Sequence, residues 1–193
     1  MSPSSTLYLA VFAAFLSTVQ GQILLPGLCA DHSVVQNFSV GDYLGAWYEI
    51  ENTYADNQID GICVIANYSD FGNGSVRVFN TQVNSETGEL QSALGSARPL
   101  DPTKNEAKLM VNFPFMGPLE SPYWVLDTDY TGYSIVWSCR PAPDGVNSYQ
   151  TYWFLSRTRT PTDITRGYVR GYLTALKFDL SYLEETLQTD CPN

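Results

Sequence analysis

Residues 62–82 read ICVIANYSDFGNGSVRVFNTQ, and this stretch contains two β-rich segments on either side of a turn. Residues 62–68 and 75–82 are rich in β-branched and aromatic side chains. Gly72-Asn73-Gly74 between them supplies residue types that adopt tight turns. The stretch therefore predicts an antiparallel β-hairpin.

The same texture continues on both sides of this hairpin, from about residue 45 to residue 157. The intervening turn segments are short, so strands that follow each other in the chain should also be neighbours in space. Eight such strands can close into a barrel without a free edge. The sequence predicts an all-β fold, an eight-stranded antiparallel up-and-down β-barrel with strands at residues 46–51, 62–68, 75–82, 90–97, 108–113, 123–127, 133–139 and 149–157.

After the barrel, residues 160–163 (Thr-Pro-Thr-Asp) are typical of a helix start. Val169, Tyr172, Leu173 and Leu176 then recur at spacings that form one apolar stripe. We expect one C-terminal α-helix that packs this stripe on the barrel wall.

The amino terminus carries a short apolar run at residues 7–16, followed by small and β-branched residues up to Gly21. The run is too short to span a bilayer and is typical of a secretory signal peptide. We expect residues 1–21 to be removed, leaving residues 22–193 as a single secreted, extracellular domain.

Composition excludes several classes of function. Asp and Glu outnumber Lys and Arg by 20 to 10, which disfavours a nucleic-acid partner. With a single histidine, His32, histidine-based metal sites lack ligands. A Ser–His–Asp triad would have to use His32, which lies close to Cys29 and is expected at the surface, so it is disfavoured. Asp127 and Asp129 open a calcium-like loop, but Ser138 stands where a bidentate Glu is required. We expect no enzyme activity, no metal site and no cofactor.

Four cysteines, Cys29, Cys63, Cys139 and Cys191, form an even set without CxxC spacing. In a secreted chain this predicts two disulfides, for which three connectivities are possible. The outer two lie near the ends of the mature chain and the inner two in predicted strands, so each tail should be pinned to the barrel.

Three Asn-x-Ser sequons, at Asn37, Asn67 and Asn73, predict N-glycosylation. A glycan on Asn67 requires that side chain to face outward, which also places Cys63 outward and alternate residues inward. Trp137 and Cys139 share the outer face of a later strand by the same rule. The inward set is then Ile62, Val64, Ala66, Tyr68, Val76, Val78, Asn80, Gln82, Leu109, Val111, Phe113, Ser134, Val136, Ser138, Tyr149, Thr151, Trp153 and Leu155.

Three motifs resemble the lipocalin signatures. Gly45-Ala46-Trp47 opens the first strand, Thr128-Asp129-Tyr130 lies between late strands, and Arg157 follows the last strand. The segments at residues 43–51, 66–69 and 122–130 are most similar to apolipoprotein-D-like lipocalins and to the arthropod lipocalins that bind bilins and carotenoids.

The resemblance implies the disulfides Cys29–Cys139 and Cys63–Cys191. It also implies that Gly45, Trp47 and Arg157 close one end of the barrel. A guanidinium laid over an indole face is a cation–π contact, so this pair has a structural role independent of ligand.

The resemblance further implies a ligand-binding set made of Tyr68, Asn80, Gln82, Phe113, Tyr123 and Trp153. An apolar segment at residues 113–119, with Phe115, Met116 and Leu119, is expected to contact a membrane or lipoprotein surface, or to fold over the mouth.

The expected function is that of a carrier for one small hydrophobic ligand, such as a lipid, a fatty acid or a steroid-like molecule. The alternative ligand is a pigment, either a bilin or a carotenoid. The rival outside the binding proteins is a glycoprotein with a filled barrel that acts only through its surface, because an eight-stranded barrel can be filled by side chains or hold a ligand.

Overall fold

The computed structural model describes residues 23–53, 60–72 and 74–192. The expected signal peptide and Asn73 lie outside these residues. No helix among them has the length and apolar character needed to cross a membrane.

Eight strands form a closed antiparallel barrel in which each strand pairs with the next along the chain and the last pairs back to the first. Two short strands, at the two ends of the described chain, extend the sheet on either side of this closure. In chain order the elements are β1 (Ile23–Pro26), α1 (Val40–Tyr43), β2 (Gly45–Thr53), β3 (Gly61–Gly72), β4 (Ser75–Asn84), β5 (Leu90–Pro99), β6 (Lys108–Asn112), β7 (Glu120–Thr128), β8 (Tyr133–Pro141), β9 (Asn147–Ser156), α2 (Asp163–Ala175) and β10 (Leu183–Glu185).

The predicted barrel is confirmed, since strands β2 to β9 correspond one to one with the eight predicted strands. Strands β1 and β10 were not predicted from the sequence. They are four and three residues long, and each pairs with an edge that the barrel supplies, β1 with β9 and β10 with β2. Strands that short carry too little alternation to be recognised from sequence.

The predicted C-terminal helix is also confirmed. Thr162 caps its start by accepting a hydrogen bond from the backbone N–H of Thr165, and Val169 and Leu173 are buried beneath it. On the wall below, the buried Glu51 carboxylate pairs with Arg170 at 2.8 Å. Glu51 lies on β2 and has little access to water, so its charge needs the compensation that Arg170 provides. This ion pair therefore holds the helix against β2.

Both implied disulfides are present, Cys29–Cys139 and Cys63–Cys191. The second one holds the C-terminal tail in the gap where β2 and β3 separate. There the Gln188 amide donates to the backbone oxygens of Glu49 and Val64, and the Cys63 N–H donates to Leu187. The tail therefore completes the wall between these two strands.

One prediction of strand facing is wrong. Ile62 pairs with Val83, whereas the next pair along β3 is Ile65 with Thr81, so β3 contains one extra residue at Cys63 and Val64. Cys63 takes a left-handed backbone conformation with φ of 57° at this bulge. Because a bulge reverses the alternation, Ile62 lies on the outer face with Ile65, not on the inner face as predicted.

Candidate functional site

The closed end of the barrel is built around Trp47 and Arg157. Trp47 is fully buried, and the guanidinium carbon of Arg157 lies 3.7 Å from the centroid of its ring. Arg157 also donates to three backbone carbonyls, those of Tyr130, Ala46 and Asp42. The predicted cation–π contact is therefore present, and the same side chain ties together three segments that meet at this end.

Gly45 is favoured here by its backbone conformation. Its φ is 94°, in the left-handed region that favours glycine, and a Cβ added there would lie 3.4 Å from a terminal nitrogen of Arg157. Gly45, Trp47 and Arg157, which were expected at one end of the barrel, therefore lie close together in the structure.

A layer of tyrosines crosses the barrel above this end. The Tyr68 and Tyr123 hydroxyls lie 2.9 Å apart, Tyr123 and Tyr43 lie 3.0 Å apart, and Tyr43 lies 2.8 Å from Ser134 Oγ. Burial raises the pKa of Tyr43 to about 12 and also raises the pKa values of Tyr68 and Tyr123. The layer is therefore a chain of neutral hydroxyls at physiological pH.

Tyr43 was missed by the sequence analysis because it precedes the first predicted strand. It lies at the last position of α1, and its ring packs 5.0 Å from that of Trp47. The signal available in sequence is only its position two residues before Gly45, which does not by itself indicate an inward side chain.

Below the tyrosine layer the barrel is nearly filled. The cavity there measures about 20 Å³ and is lined by Phe38, Val40, Leu44 and Val76 with the tyrosine rings. A volume of this size holds about one water molecule. This cavity is therefore too small for a ligand larger than water.

We call the end of the barrel opposite to Trp47 and Arg157 the mouth. The predicted ligand-binding residues lie at different distances from it. Gln82 donates to Gln91 across the β4–β5 hairpin at 2.8 Å, in an exposed position. Phe113 stacks on Phe115 at 5.5 Å and packs against Gly95, where a Cβ would come within 2.6 Å of the Phe113 ring. Gln82 and Phe113 are thus rim residues, whereas Tyr68 and Tyr123 form the floor.

Between floor and rim lie side chains with unused hydrogen-bonding capacity. Asn80, on the inner face of β4, has a buried Oδ1 without a protein partner among the described residues. Thr151 on β9 is almost fully buried, and its hydroxyl also lacks a partner there. Trp153 is half-buried on the same inner face as Thr151. The middle of the barrel therefore contains a hydrogen-bond acceptor, a hydroxyl group and an aromatic ring.

A buried carboxylate also belongs to this interior. Glu49 is 3% exposed, and its Oε1 accepts hydrogen bonds from Asn52 at 2.6 Å and from Thr186 at 2.7 Å. The Glu49 charge is one of the smaller causes, after burial itself, that raise the pKa of Tyr68. Glu49 lies two residues after Trp47, so strand alternation was the signal that could have found it.

The residues considered above for catalysis or metal binding, His32, Asp127 and Asp129, make structural contacts. The rings of Trp137 and Phe178 lie 4.8 and 5.2 Å from that of His32, on the outer wall. Asp127 accepts hydrogen bonds from the Tyr133 and Tyr168 hydroxyls.

Asp129 accepts backbone N–H groups of the turn that follows it. Within the described ranges no cluster of three or more His, Cys, Asp or Glu side chains could hold a metal ion.

At the outside of the mouth, a short turn at Pro114–Met116 presents apolar side chains to solvent. Phe115 is 69% exposed and Leu119 is 55% exposed. Nothing is described of the Met116 side chain, the third member of the predicted surface set.

Comparison with known proteins assigns this architecture. A family model described as a lipocalin-like domain matches residues 38–188. Apolipoprotein D of Oryctolagus cuniculus is 36% identical and covers 100% of this chain and 99% of its own length. The Lazarillo protein of Schistocerca americana is 35% identical over 83% of this chain and 75% of its own.

Solved structures agree with this assignment. Insecticyanin of Manduca sexta superposes with a TM-score of 0.76 at 25% identity, covering 88% of this chain and 91% of its own. Lobster apocrustacyanin A1, at 24% identity and a TM-score of 0.74 over 88% and 93% of the two chains, has the same fold. The family supports the binding of a small hydrophobic ligand. The chain therefore belongs to the lipocalin family, close to apolipoprotein D and the arthropod pigment lipocalins.

Proposed function

We propose that this protein is a secreted carrier that binds and transports one small hydrophobic ligand, such as a lipid, a fatty acid or a steroid-like molecule. The ligand occupies the barrel between the tyrosine layer and the mouth. The family assignment supports the ligand class, and the two disulfides fit an extracellular protein.

The observation that carries this proposal is the pair of unsatisfied polar atoms in the middle of the barrel, Asn80 Oδ1 and Thr151 Oγ1. Leaving a buried polar group unpaired costs about 1–3 kcal/mol, so proteins rarely retain one without use. A carbonyl oxygen accepts and a hydroxyl both donates and accepts. Hydroxyl groups of a ligand, with ordered water beside them, would supply partners for these atoms.

The apolar body of the ligand lies against Trp153 and Phe113. Burying apolar surface contributes about 25 cal/mol per Å², before the cost of ordering the ligand and the rim is subtracted. Tyr68, Tyr123 and Gln82 complete the polar contacts and fix which end of the ligand enters first.

A pigment is the second candidate ligand, and the similarity to insecticyanin favours it. A bilin or a carotenoid has an extended conjugated system that absorbs visible light, whereas a saturated fatty acid or a steroid does not. The visible absorption spectrum of the protein therefore separates the two candidates directly.

The mouth supports a further part of the proposal. The exposed Phe115 and Leu119, with Met116 between them in sequence, offer an apolar surface where ligand enters. We propose that this turn contacts a membrane or lipoprotein surface during ligand exchange.

The experiment is native mass spectrometry of the full chain secreted by eukaryotic cells, followed by organic extraction and identification of what was bound. The expected result is a one-to-one adduct lost after delipidation and regained on adding a fatty acid or steroid. If no adduct is found and no lipid, steroid or pigment rebinds, the filled-barrel rival is correct and the carrier function is wrong.

A further inference from the structure

The outer face of β3, β4 and β5 is unusually apolar for a wall that faces solvent. Phe71 is 57% exposed, Phe79 43%, Leu94 54% and Leu90 68%. The guanidinium carbon of Arg77 lies 5.2 Å from the centroid of the Phe71 ring. Exposed apolar side chains gathered on one sheet face need a reason, because such patches promote association.

A glycosylation sequon lies on this face, on β3. Asn67 is exposed and pairs directly with Phe79, which in turn pairs with Leu94. Opposite residues in adjacent antiparallel strands have Cβ atoms about 4.5–5.5 Å apart on the same face. Asn67, Phe79 and Leu94 therefore form one row across three strands, with the asparagine at its end.

We propose that an N-linked glycan on Asn67 packs its first sugar over Phe79 and Leu94 and so shields this row from solvent and from other molecules. The carbon-bound hydrogens on one face of a pyranose ring are apolar, and they fit against an aromatic ring. The hydroxyl groups of the sugar stay in water. The shield thus buries apolar area while keeping the surface soluble.

The modification joins Asn67 Nδ2 to the anomeric carbon of the first sugar of an oligosaccharide. The donor is a lipid diphosphate-linked oligosaccharide of the secretory pathway. Its anomeric carbon–oxygen bond to the diphosphate breaks, the lipid diphosphate leaves, and the amide nitrogen loses one proton.

The glycan is favoured over a second copy of the chain as the occupant because of where it is attached. A sugar on Asn67 stands beside the apolar row, and its bulk prevents another sheet from approaching Phe79. Face-to-face packing of two sheets requires a separation of about 10 Å, which the attached oligosaccharide would fill.

Asn37 provides a matched control within the chain. It is also an exposed sequon asparagine, but its N–H is bonded to Asn105 in the N-terminal segment, and the adjacent Phe38 is buried. A glycan on Asn37 has no exposed apolar row beside it and should not affect association.

The test uses the full chain secreted by eukaryotic cells, with variants Asn67→Gln, Ser69→Ala and Asn37→Gln. Glycopeptide mass spectrometry measures occupancy, bis-ANS fluorescence measures exposed apolar surface, and sedimentation velocity measures association. In the wild type, nuclear Overhauser contacts between the first sugar and the Phe79 ring report the packing itself.

The expected result is an occupied Asn67, sugar contacts to Phe79, and a rise in bis-ANS fluorescence and association in both Asn67→Gln and Ser69→Ala but not in Asn37→Gln. Adding Phe79→Thr and Leu94→Thr to Asn67→Gln should reverse the rise. An unoccupied Asn67 on secreted protein, an occupied Asn67 without contacts to Phe79, or equal effects of the two asparagine variants would overturn the proposal.

The inference rests on the proposed secretory route and not on the identity of the ligand. A chain that is not secreted contradicts the proposed function and this inference together. If wild-type protein binds no ligand but shows the glycan contacts, only the proposed function is contradicted.

Discussion

The two ends of the barrel differ in how completely their polar groups are satisfied. At the closed end, Arg157 donates to three carbonyls, Trp47 donates its indole N–H to Tyr43, and the cavity below the tyrosine layer holds about one water. Toward the mouth, Asn80 Oδ1 and Thr151 Oγ1 have no hydrogen-bond partner in the described part of the chain. The interactions of the closed end stabilise the fold, whereas the proposed ligand site lies toward the mouth.

The largest expected effect tests the closed end. Trp47→Ala removes a fully buried indole and the cation–π contact, and should lower the free energy of unfolding by about 3–5 kcal/mol. Trp153→Ala is the matched control at the half-buried position toward the mouth, where the loss should be smaller. Urea unfolding of both variants measures the difference. Equal losses of unfolding free energy would show that the closed end does not contribute more to stability than the mouth end.

The next effect concerns the tyrosine layer. Tyr43→Phe removes the hydroxyl that links Tyr123 to Ser134, and leaving buried polar partners unpaired should cost about 1–3 kcal/mol. Tyr149→Phe, at a half-buried inner position nearer the mouth, should change stability by less than about 0.5 kcal/mol. The same unfolding measurement checks both, and a neutral Tyr43→Phe would mean that the layer does not stabilise the floor.

A smaller effect is expected on ligand binding at the mouth end. Trp153→Phe should remove most of the tryptophan fluorescence change on ligand addition and weaken binding by about 1 kcal/mol, the scale of one altered aromatic contact. Trp137→Phe should keep the response, since Trp137 lies on the outer wall and donates to Gln150. Loss of the signal in the Trp137 variant alone would mean that the assigned faces of β8 and β9 are inverted.

The smallest effect is a pH dependence of the outer wall. Burial between Trp137 and Phe178 lowers the pKa of His32 below its ordinary 6.5, with the Asp31 charge acting in the opposite direction. Because the unfolded chain binds this proton more tightly, the His32 contribution is complete above pH 6.5 and decreases as the pH falls below it. His32→Phe should therefore have a flatter stability profile than wild type between about pH 7 and pH 5. A steeper profile for the variant would contradict the assigned direction.

The sequence predicted the barrel well because its information is local. Strand alternation and turn residues predict eight neighbouring strands. The closed end at Gly45, Trp47 and Arg157 was expected from the resemblance to lipocalins. The sequence prediction failed at Ile62 because the extra residue at Cys63 is visible only in the register with β4. It missed β10, and with it the contact of Thr186 with Glu49, because the tail is placed by a disulfide and by pairing with distant residues.

The sequence predicted which side chains of the candidate site face the barrel interior, but not how far along the barrel each one lies. Alternation assigns Tyr68, Asn80 and Gln82 to the barrel interior, yet their height along the barrel depends on strand tilt and register. The structure places Tyr68 in the floor, Asn80 in the middle and Gln82 on the rim. Whether these residues bind ligand stays a prediction.

The most direct test of the difference between the two ends is the indole N–H spectrum of the four tryptophans during titration of delipidated protein with a fatty acid or steroid. The Trp153 cross-peak should shift with ligand, while that of Trp47, bonded to the Tyr43 carbonyl at 2.9 Å, should stay in place. A shift of Trp47 with Trp153 unchanged would contradict the account, because the ligand would then occupy the closed end.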